Sequence, residues 1–194
     1  IPYGADLCLE SDKKFLFKYG LYPYQYDLLV ARLEPENNIN QILDGFIASD
    51  VKRKFVVVGN TNTKFGLELI SKFQDDRILF LGYVNEMDSL NSLRFFSNLY
   101  FHGHSVGGTN PSLLEAMACG ALICAHDNIF NKSILGEDAF YFSNKLDVSN
   151  LIQSTLKTED HIFVSNNLQK ITKGFSWKNI ISQYEQFFTD CLNK

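Results

Sequence analysis

Short apolar segments alternate with segments of helical periodicity along nearly the whole chain, and this alternation restricts the fold more than any other feature of the sequence. The apolar segments are near-uniformly hydrophobic, which predicts strands buried on both faces. Buried strands separated by helices form a parallel sheet, because right-handed crossovers place helices on each side of it. We therefore predict an α/β fold with a doubly wound, Rossmann-like parallel sheet. The predicted strands are Tyr26 to Leu33, Lys54 to Gly59, Ile78 to Tyr83, Leu99 to His102, Ala121 to Ala125 and Ala139 to Phe142.

Helices are expected between and after these strands. Asn85 with Asp88 three residues later predicts the start of one of them, and Ser176 is the expected cap of the last. The 17 phenylalanines predict a core with layers of aromatic rings. The predicted helices cover residues 39–47, 65–73, 85–96, 111–118, 147–156, 160–173 and 176–192.

Composition excludes several classes of protein. A net charge of -4 without a cluster of basic residues argues against a nucleic-acid surface. No apolar run is long enough to span a bilayer and the first residues do not resemble a secretion signal, which predicts a cytoplasmic protein. The start at Ile1 predicts a piece of a longer protein. The four widely spaced cysteines predict reduced structural thiols rather than a zinc site.

In a doubly wound sheet, ligands bind beyond the carboxyl ends of the strands. The residues that follow the predicted strands are therefore expected around one cleft. They are Arg32 with Glu34, residues 59–60, residues 82–84 and residues 102–110.

The stretch from Ser105 to Gly120 has the features of an anion-binding turn before a helix. Gly107 and Gly108 allow close approach of the backbone, and Thr109 or Asn110 can cap a helix that begins with proline. Free amides at such a start attract phosphate or sugar hydroxyls. Glu115, one turn further along, suits hydrogen bonds to a pair of ribose hydroxyls. The alternative is an ordinary loop before a helix with a buried apolar stripe.

Arg32 stands near the end of an apolar strand, where a cation is costly unless it meets an anion such as a diphosphate. The alternative is an ion pair with Glu34 or Glu36. Asn37 is expected to cap the next helix, together with Asn38, or to reach a phosphate.

Glycines end two of the predicted strands, at Gly59 and Gly82. The backbone from Gly82 to Val84 can hydrogen-bond a nucleobase, with Tyr83 alongside; a simple strand-ending turn is the alternative. No nearby cysteine or carboxylate completes a coordination shell around His102 and His104, so we predict no metal there. Either histidine can hydrogen-bond a sugar or phosphate, or simply be packed or exposed.

Taken in order, these motifs resemble the carboxyl-terminal, donor-binding half of a GT-B glycosyltransferase of the large retaining family 4 type. IPYGAD is similar to the interdomain segment, VARLEPENNINQILDGF to the strand and helix whose arginine contacts the donor diphosphate, and FSWKNIISQYEQFF to the helix that crosses back between domains. FVVVGN, ILFLGYV and GGTNPSLLEAMACGALICA occur in the expected order between them. The resemblance divides the chain into an interdomain segment at 1–20, a nucleotide-sugar-binding domain at 21–175 and a C-terminal helix at 176–194.

The resemblance also implies roles for individual residues. Arg32 would bind the diphosphate, and Glu115 would hold the ribose as the second glutamate of the E-x7-E motif. Two positions depart from the family pattern: the first glutamate of that motif falls on Gly107, and the lysine that usually partners the arginine falls on Asn37. Other donor-binding positions implied are Gly59, Gly82, Tyr83, Val84, His104, Gly107, Gly108, Thr109, Asn110 and Ser112, with Asn37 included.

The resemblance implies an enzyme that transfers a sugar from a nucleotide diphosphate to an acceptor hydroxyl, retaining and without a metal or separate cofactor. A rhamnosyltransferase-like subgroup implies a role in cell-surface polysaccharide synthesis, at the cytoplasmic side or inner face of the membrane. A glycan or lipid-linked acceptor would bind an N-terminal domain absent from this sequence, so the fragment alone is expected to be inactive; peripheral membrane association of the full-length protein is left open. The alternatives are a non-catalytic nucleotide-sugar-binding module and a GT-B-like epimerase.

Overall fold

A sheet of six parallel strands forms the centre of the molecule within residues 1–8, 11–159 and 161–193, the part of the chain that the computed structural model describes. The order β3-β2-β1-β4-β5-β6 is that of a doubly wound sheet, and it confirms the predicted fold class. The chain changes direction between β1 and β4, which pair through Leu28 with Tyr100 and Leu29 with Phe101. The strands are β1 Tyr26–Val30, β2 Lys54–Val58, β3 Ile78–Gly82, β4 Tyr100–His102, β5 Ile123–His126 and β6 Phe140–Phe142.

Helices cover both faces of the sheet. A 3-10 turn, Pro35–Asn37, precedes α2, and a π-helical turn, Ile171–Phe175, follows α8. None of the described helices is long and apolar enough to cross a membrane. The helices are α1 Lys14–Phe17, α2 Ile39–Ser49, α3 Lys64–Lys72, α4 Met87–Phe96, α5 Pro111–Ala118, α6 Ile129–Leu135, α7 Lys145–Ser154, α8 His161–Lys170 and α9 Trp177–Leu192.

Each strand sends alternate side chains to two separate hydrophobic cores. Leu28 of β1 packs into the core beneath α1, α4 and α5, and its neighbour Leu29 packs into the core beneath α2, α3 and α7. The second core contains a row of phenylalanine rings, with centroids 5.2 Å apart for Phe46 and Phe55 and 5.5 Å apart for Phe55 and Phe101. This row confirms the predicted aromatic packing.

Several element boundaries differ from those predicted. Strand β1 ends at Val30 instead of Leu33, because the backbone turns and the amide of Glu34 donates to the carbonyl of Arg32 (2.9 Å). Helix α4 is preceded by Glu86 without a side-chain cap, so the predicted cap at Asn85 is wrong. Helix α6 was not predicted, although Asn128 caps it by accepting from two backbone amides.

Other predicted helix signals are present. The side chain of Ser176 accepts from the amide of Asn179 at the start of α9, and that of Asn110 accepts from the amide of Ser112 at the start of α5. The helix predicted at 160–173 corresponds to α8 and the π-helical turn, and Asp160 lies outside the described residues.

Candidate functional site

A cleft of about 600 Å³ opens at the carboxyl ends of the strands, beside the point where the sheet changes direction. This is where the fold class places ligands, because the helices that follow β1 and β4 pack on opposite faces of the sheet. The lining includes most of the residues that the sequence placed after strands. Of the predicted site residues, Arg32, Asn37, Gly59, Tyr83, Val84, His104, Asn110, Ser112 and Glu115 line the cleft.

The glycine-rich loop does not line it. Ser105 is held by the carbonyl of Glu36, which accepts from its amide (3.1 Å) and from its hydroxyl (2.9 Å). Val106, Gly107 and Gly108 are exposed, and a Cβ at either glycine would meet no atom within 4 Å. Gly107, Gly108 and Thr109 are thus not among the lining residues, and their contact with a ligand stays a prediction. Gly82 also lies off the lining, at the end of β3 with φ +69°, and its carbonyl accepts from the amide of Gly59.

An amide at the start of α5 already has a hydrogen-bond partner within the protein. Asn110 Oδ1 accepts from the amide of Ser112 at 2.9 Å, so this amide is not free as predicted. The hydroxyl of Ser112 donates to the carbonyl of Val30 (3.2 Å) and lies 2.9 Å from the hydroxyl of Tyr100. These bonds fix the first turn of α5 against β1 and β4, and so set the position of Glu115.

Arg32 lies just beyond β1, exposed at the rim of the cleft. Its guanidinium has no hydrogen bond or ion pair to any described residue, so the alternative of a pair with Glu34 or Glu36 is not what the structure shows. The backbone of Arg32 is held, since its carbonyl accepts from Asn37 Nδ2 (2.8 Å). A fixed backbone with an uncommitted guanidinium is suited to binding an anion that enters the cleft.

Asn37 is buried, and both ends of its amide are in use. Nδ2 donates to the carbonyl of Arg32, and Oδ1 lies 3.0 Å from Nδ1 of His104. Asn37 therefore links the two loops that flank the cleft and neither caps α2 nor reaches freely toward a phosphate. The loops approach so closely that a Cβ at Gly103 would lie 1.9 Å from the carbonyl oxygen of Asn37, which explains the glycine between the two histidines.

The two histidines differ in environment. His102 is 4% exposed, and burial, aided by the neighbouring His104, lowers its pKa to about 3. A neutral imidazole follows for His102, and its Nε2 has no hydrogen-bond partner among the described residues. His104 is only partly buried and keeps one ring nitrogen toward Asn37.

Glu115 is paired with an arginine that the sequence analysis did not single out. Nη2 of Arg94, on α4, donates to Oε2 of Glu115, on α5. Arg94 is 1% exposed whereas the Glu115 side chain is 42% exposed, and both line the cleft. The sequence held one signal: Arg94 follows Leu90 by four residues and so lies on the apolar face of its helix, where a cation needs a partner.

The remaining wall is open and partly aromatic. Tyr83, directly after β3, is 75% exposed at the mouth of the cleft, and Val84 lies beside it. Gly59 follows β2 in close contact with the β1 loop, since a Cβ there would lie 2.2 Å from the carbonyl oxygen of Ala31. This wall offers a ring face and backbone groups without a charged side chain, as a flat heterocycle requires.

This chain spans about half the length of two solved structures of similar fold. Sucrose-phosphate synthase from Thermosynechococcus elongatus matches with a TM-score of 0.78 and 16% identity over 100% of this chain and 52% of that one. HepE from Anabaena, solved in complex with UDP and glucose, matches with a TM-score of 0.82 and 17% identity over 96% of this chain and 55% of that one. At such identities the likeness shows the fold alone.

A solved domain of nearly the same extent also matches. The C-terminal domain of a glycosyl transferase group 1 family protein from Francisella tularensis matches with a TM-score of 0.67 and 14% identity, over 90% of this chain and 96% of that one. No curated protein sequence matches this chain. The likeness expected from the motifs, to the carboxyl-terminal half of a GT-B architecture, is thus confirmed in fold. The model of the family described as glycosyl transferases group 1 matches residues 14–169, and the chain therefore belongs to that family.

Proposed function

We propose that this chain is the donor-binding half of a glycosyltransferase that transfers a sugar from a nucleotide diphosphate to an acceptor hydroxyl. The observation that carries the proposal is one cleft, at the carboxyl edge of the sheet, with an uncommitted guanidinium on one wall and a half-exposed carboxylate on the other. These two groups match a diphosphate and a ribose diol. HepE, a structural neighbour, was solved with UDP, with UDP and glucose, and with UDP-glucose.

In this proposal Arg32 binds the diphosphate and stabilises the charge that develops on it as the bond to the sugar breaks. The acceptor oxygen forms the new bond to the anomeric carbon, and its proton passes to the leaving nucleoside diphosphate. Glu115 accepts hydrogen bonds from the ribose hydroxyls, and the base lies against Tyr83 and the backbone at Val84. Asn37 supports this site indirectly, by fixing the backbone that carries Arg32.

The finer features belong to the proposal as well. They are a retaining, metal-independent reaction without a separate cofactor, a glycan or lipid-linked acceptor of the cell-surface polysaccharide class, and a location at the cytoplasmic side of the membrane. The acceptor would bind a second domain joined through residues 1–20. The exposed apolar residues of α9 support the idea that residues 176–194 cross back to that domain; they are Trp177, Ile181, Tyr184, Phe187, Phe188 and Leu192.

Calorimetry with UDP, GDP and TDP sugars tests donor binding by the chain itself. The Glu115→Ala variant is expected to lose about tenfold or more in affinity for the matching nucleoside, because a charge-assisted hydrogen bond is lost, and to bind pyrophosphate as before. Glu68→Ala, at an exposed position of α3, is the matched control and should change neither affinity. Equal weakening of nucleoside and pyrophosphate would contradict the ribose role, and no binding of any sugar nucleotide would contradict the function.

A non-catalytic nucleotide-sugar-binding module is the second candidate, and two positions favour it. Asn37 uses its amide within the protein, and Gly107 lies in an exposed loop with φ +88°, so neither supplies the charge that the family pattern has there. Assays of sugar transfer by a longer protein that carries both halves separate the candidates. Donor binding without transfer or donor hydrolysis would support the module, and so would a cell phenotype that survives loss of Arg32.

A further inference from the structure

We propose that Arg94 is a positioning residue for Glu115, and that its ion pair with Glu115 sets how strongly the cleft prefers a nucleotide with a ribose diol. The proposal rests on the ribose role of Glu115 given above. Arg94 donates from Nη2 to Oε2 of Glu115, which leaves Oε1 without a partner among the described residues. One carboxylate oxygen is thus held by the protein, and the other is available to the ligand.

Because Arg94 is buried and Glu115 is not, the arginine fixes the orientation of the glutamate in this ion pair. Arg94 is 1% exposed, so its rotamer is fixed by packing, whereas the Glu115 side chain alone, 42% exposed, would be free to choose among several. A guanidinium keeps its charge when buried and presents its donors in a rigid plane. Glu115 is the partner of Arg94 in the ion pairs of the described residues, so the two side chains constrain each other.

The Arg94 guanidinium also contacts its own helix. Nη1 lies 3.3 Å from Oδ1 of Asn91, one turn earlier on α4. Nε is buried without a partner among the described residues, which leaves the pair with Glu115 as the main compensation for the buried charge. A swing of Glu115 away from Arg94 would leave the buried cation without a carboxylate partner, so the orientation of the carboxylate is strongly specified.

The test compares affinities for UDP and for 2′,3′-dideoxy-UDP, because their ratio isolates the diol. We expect the protein to prefer UDP by about tenfold, as for hydrogen bonds to a charged group. Glu115→Gln should reduce this preference several-fold. Arg94→Met, which keeps most of the side-chain volume, should reduce it to about twofold, since a free carboxylate seldom holds the right orientation. In the double variant the ratio should equal that of Glu115→Gln, because Arg94 acts through Glu115.

Two further variants separate positioning from general support of the fold. Arg77→Met removes the arginine of a partly buried pair with Asp75 outside the cleft, and it should leave the ratio unchanged. Arg94→Lys retains the charge without the planar donors and should give an intermediate ratio. A merely structural role for Arg94 would weaken UDP and the dideoxy analogue alike, with no change in the ratio.

Each outcome decides between the proposals. If Arg94→Met keeps the full preference while Glu115→Gln loses it, the positioning role is overturned and the nucleotide site stands. If the unmodified protein shows no preference, or Glu115→Gln retains it, the ribose role fails and the positioning role falls with it. If neither Arg94→Met nor Arg94→Lys folds, as judged by circular dichroism, Arg94 serves the fold and the proposal is overturned.

Discussion

Two arginines line the same cleft, and the structure holds them in opposite ways. Arg32 stands on a loop after β1, exposed and without a partner for its guanidinium among the described residues. Arg94 lies within α4, 1% exposed and paired with Glu115. An exposed cation without a partner loses little water and remains ready for an incoming anion, whereas a buried one needs its partner at all times. One cation is thus available for a ligand, and the other orders the protein around it.

The largest difference between the two arginines should appear in the free energy of unfolding. Arg94→Ala removes a buried side chain and leaves a cavity between α4 and α5, which is expected to cost about 2 to 4 kcal/mol. Arg32→Ala removes an exposed side chain and should stay within about 0.5 kcal/mol of the unmodified protein. Denaturant titration followed by circular dichroism measures both. Equal losses for the two variants would show that Arg32 is also part of the packed structure.

For diphosphate affinity we expect the opposite order, with a larger effect from substitution of Arg32 than from substitution of Arg94. Arg32→Met is expected to weaken UDP by about 1.5 to 3 kcal/mol, because a charge-assisted contact to phosphate is lost, and to leave uridine unchanged. Part of the effect should fade at high salt, since Arg32 is exposed. Lys52→Met, which removes an 89% exposed cation outside the cleft, is the matched control. A uniform loss for UDP and uridine would remove Arg32 from the diphosphate site.

The same contrast explains how far the sequence could predict the site. Arg32 was found because a lone cation at the end of an apolar strand is visible in a single segment. Arg94 and Glu115 are 21 residues apart in the chain and lie on two different helices, so only the packing of these helices brings the side chains together. The fold itself was predictable, because strand burial and helix periodicity are local properties.

The missed features are likewise those that tertiary contacts decide. The glycine-rich loop was predicted to face the ligand from its composition, whereas in the structure Ser105 bonds to the carbonyl of Glu36 and the two glycines lie off the cleft lining. Asn37 was predicted as a cap or a phosphate ligand. Its contact with His104 could not be seen in the sequence, because the two residues are 67 positions apart in the chain. The end of β1 near the cleft differs from the predicted strand end by three residues, because contacts in the folded protein also decide where that strand stops.

A third cation tests whether burial beside α4 requires an arginine. Lys157 is 7% exposed, donates to the carbonyl of Phe95, and lies 5.2 Å from the centroid of that ring; burial lowers its pKa to about 7. Unfolding restores the ordinary pKa near 10.5, so the unfolded chain binds more protons between about pH 7 and 10.5. Stability should therefore rise with pH across this window, by up to about 1.4 kcal/mol per pH unit.

The variant Lys157→Met isolates this contribution. The difference in unfolding free energy between the unmodified protein and the variant should change with pH from 7 to 10 and level off below pH 7, where lysine is charged in both states. A pH-independent difference would mean that Lys157 keeps its proton when folded, as Arg94 does. Lys157 and Arg94 would then not differ in protonation, although a buried lysine can lose its proton and an arginine cannot.

The smallest expected effect is on the cap of α5. This helix carries Glu115 on one wall of the cleft, whereas Arg32 lies on a loop in the other wall. Asn110→Ala removes the side chain that accepts from the amide of Ser112, and should cost about 1 kcal/mol of unfolding free energy. Asn110→Asp retains the acceptor and should cost little. Because the freed amide then faces the cleft, the alanine variant is also expected to bind pyrophosphate no more weakly than the unmodified protein. Weaker pyrophosphate binding by Asn110→Ala would show instead that Asn110 itself contacts the diphosphate, which would place diphosphate-binding groups on both walls and not on the Arg32 wall alone.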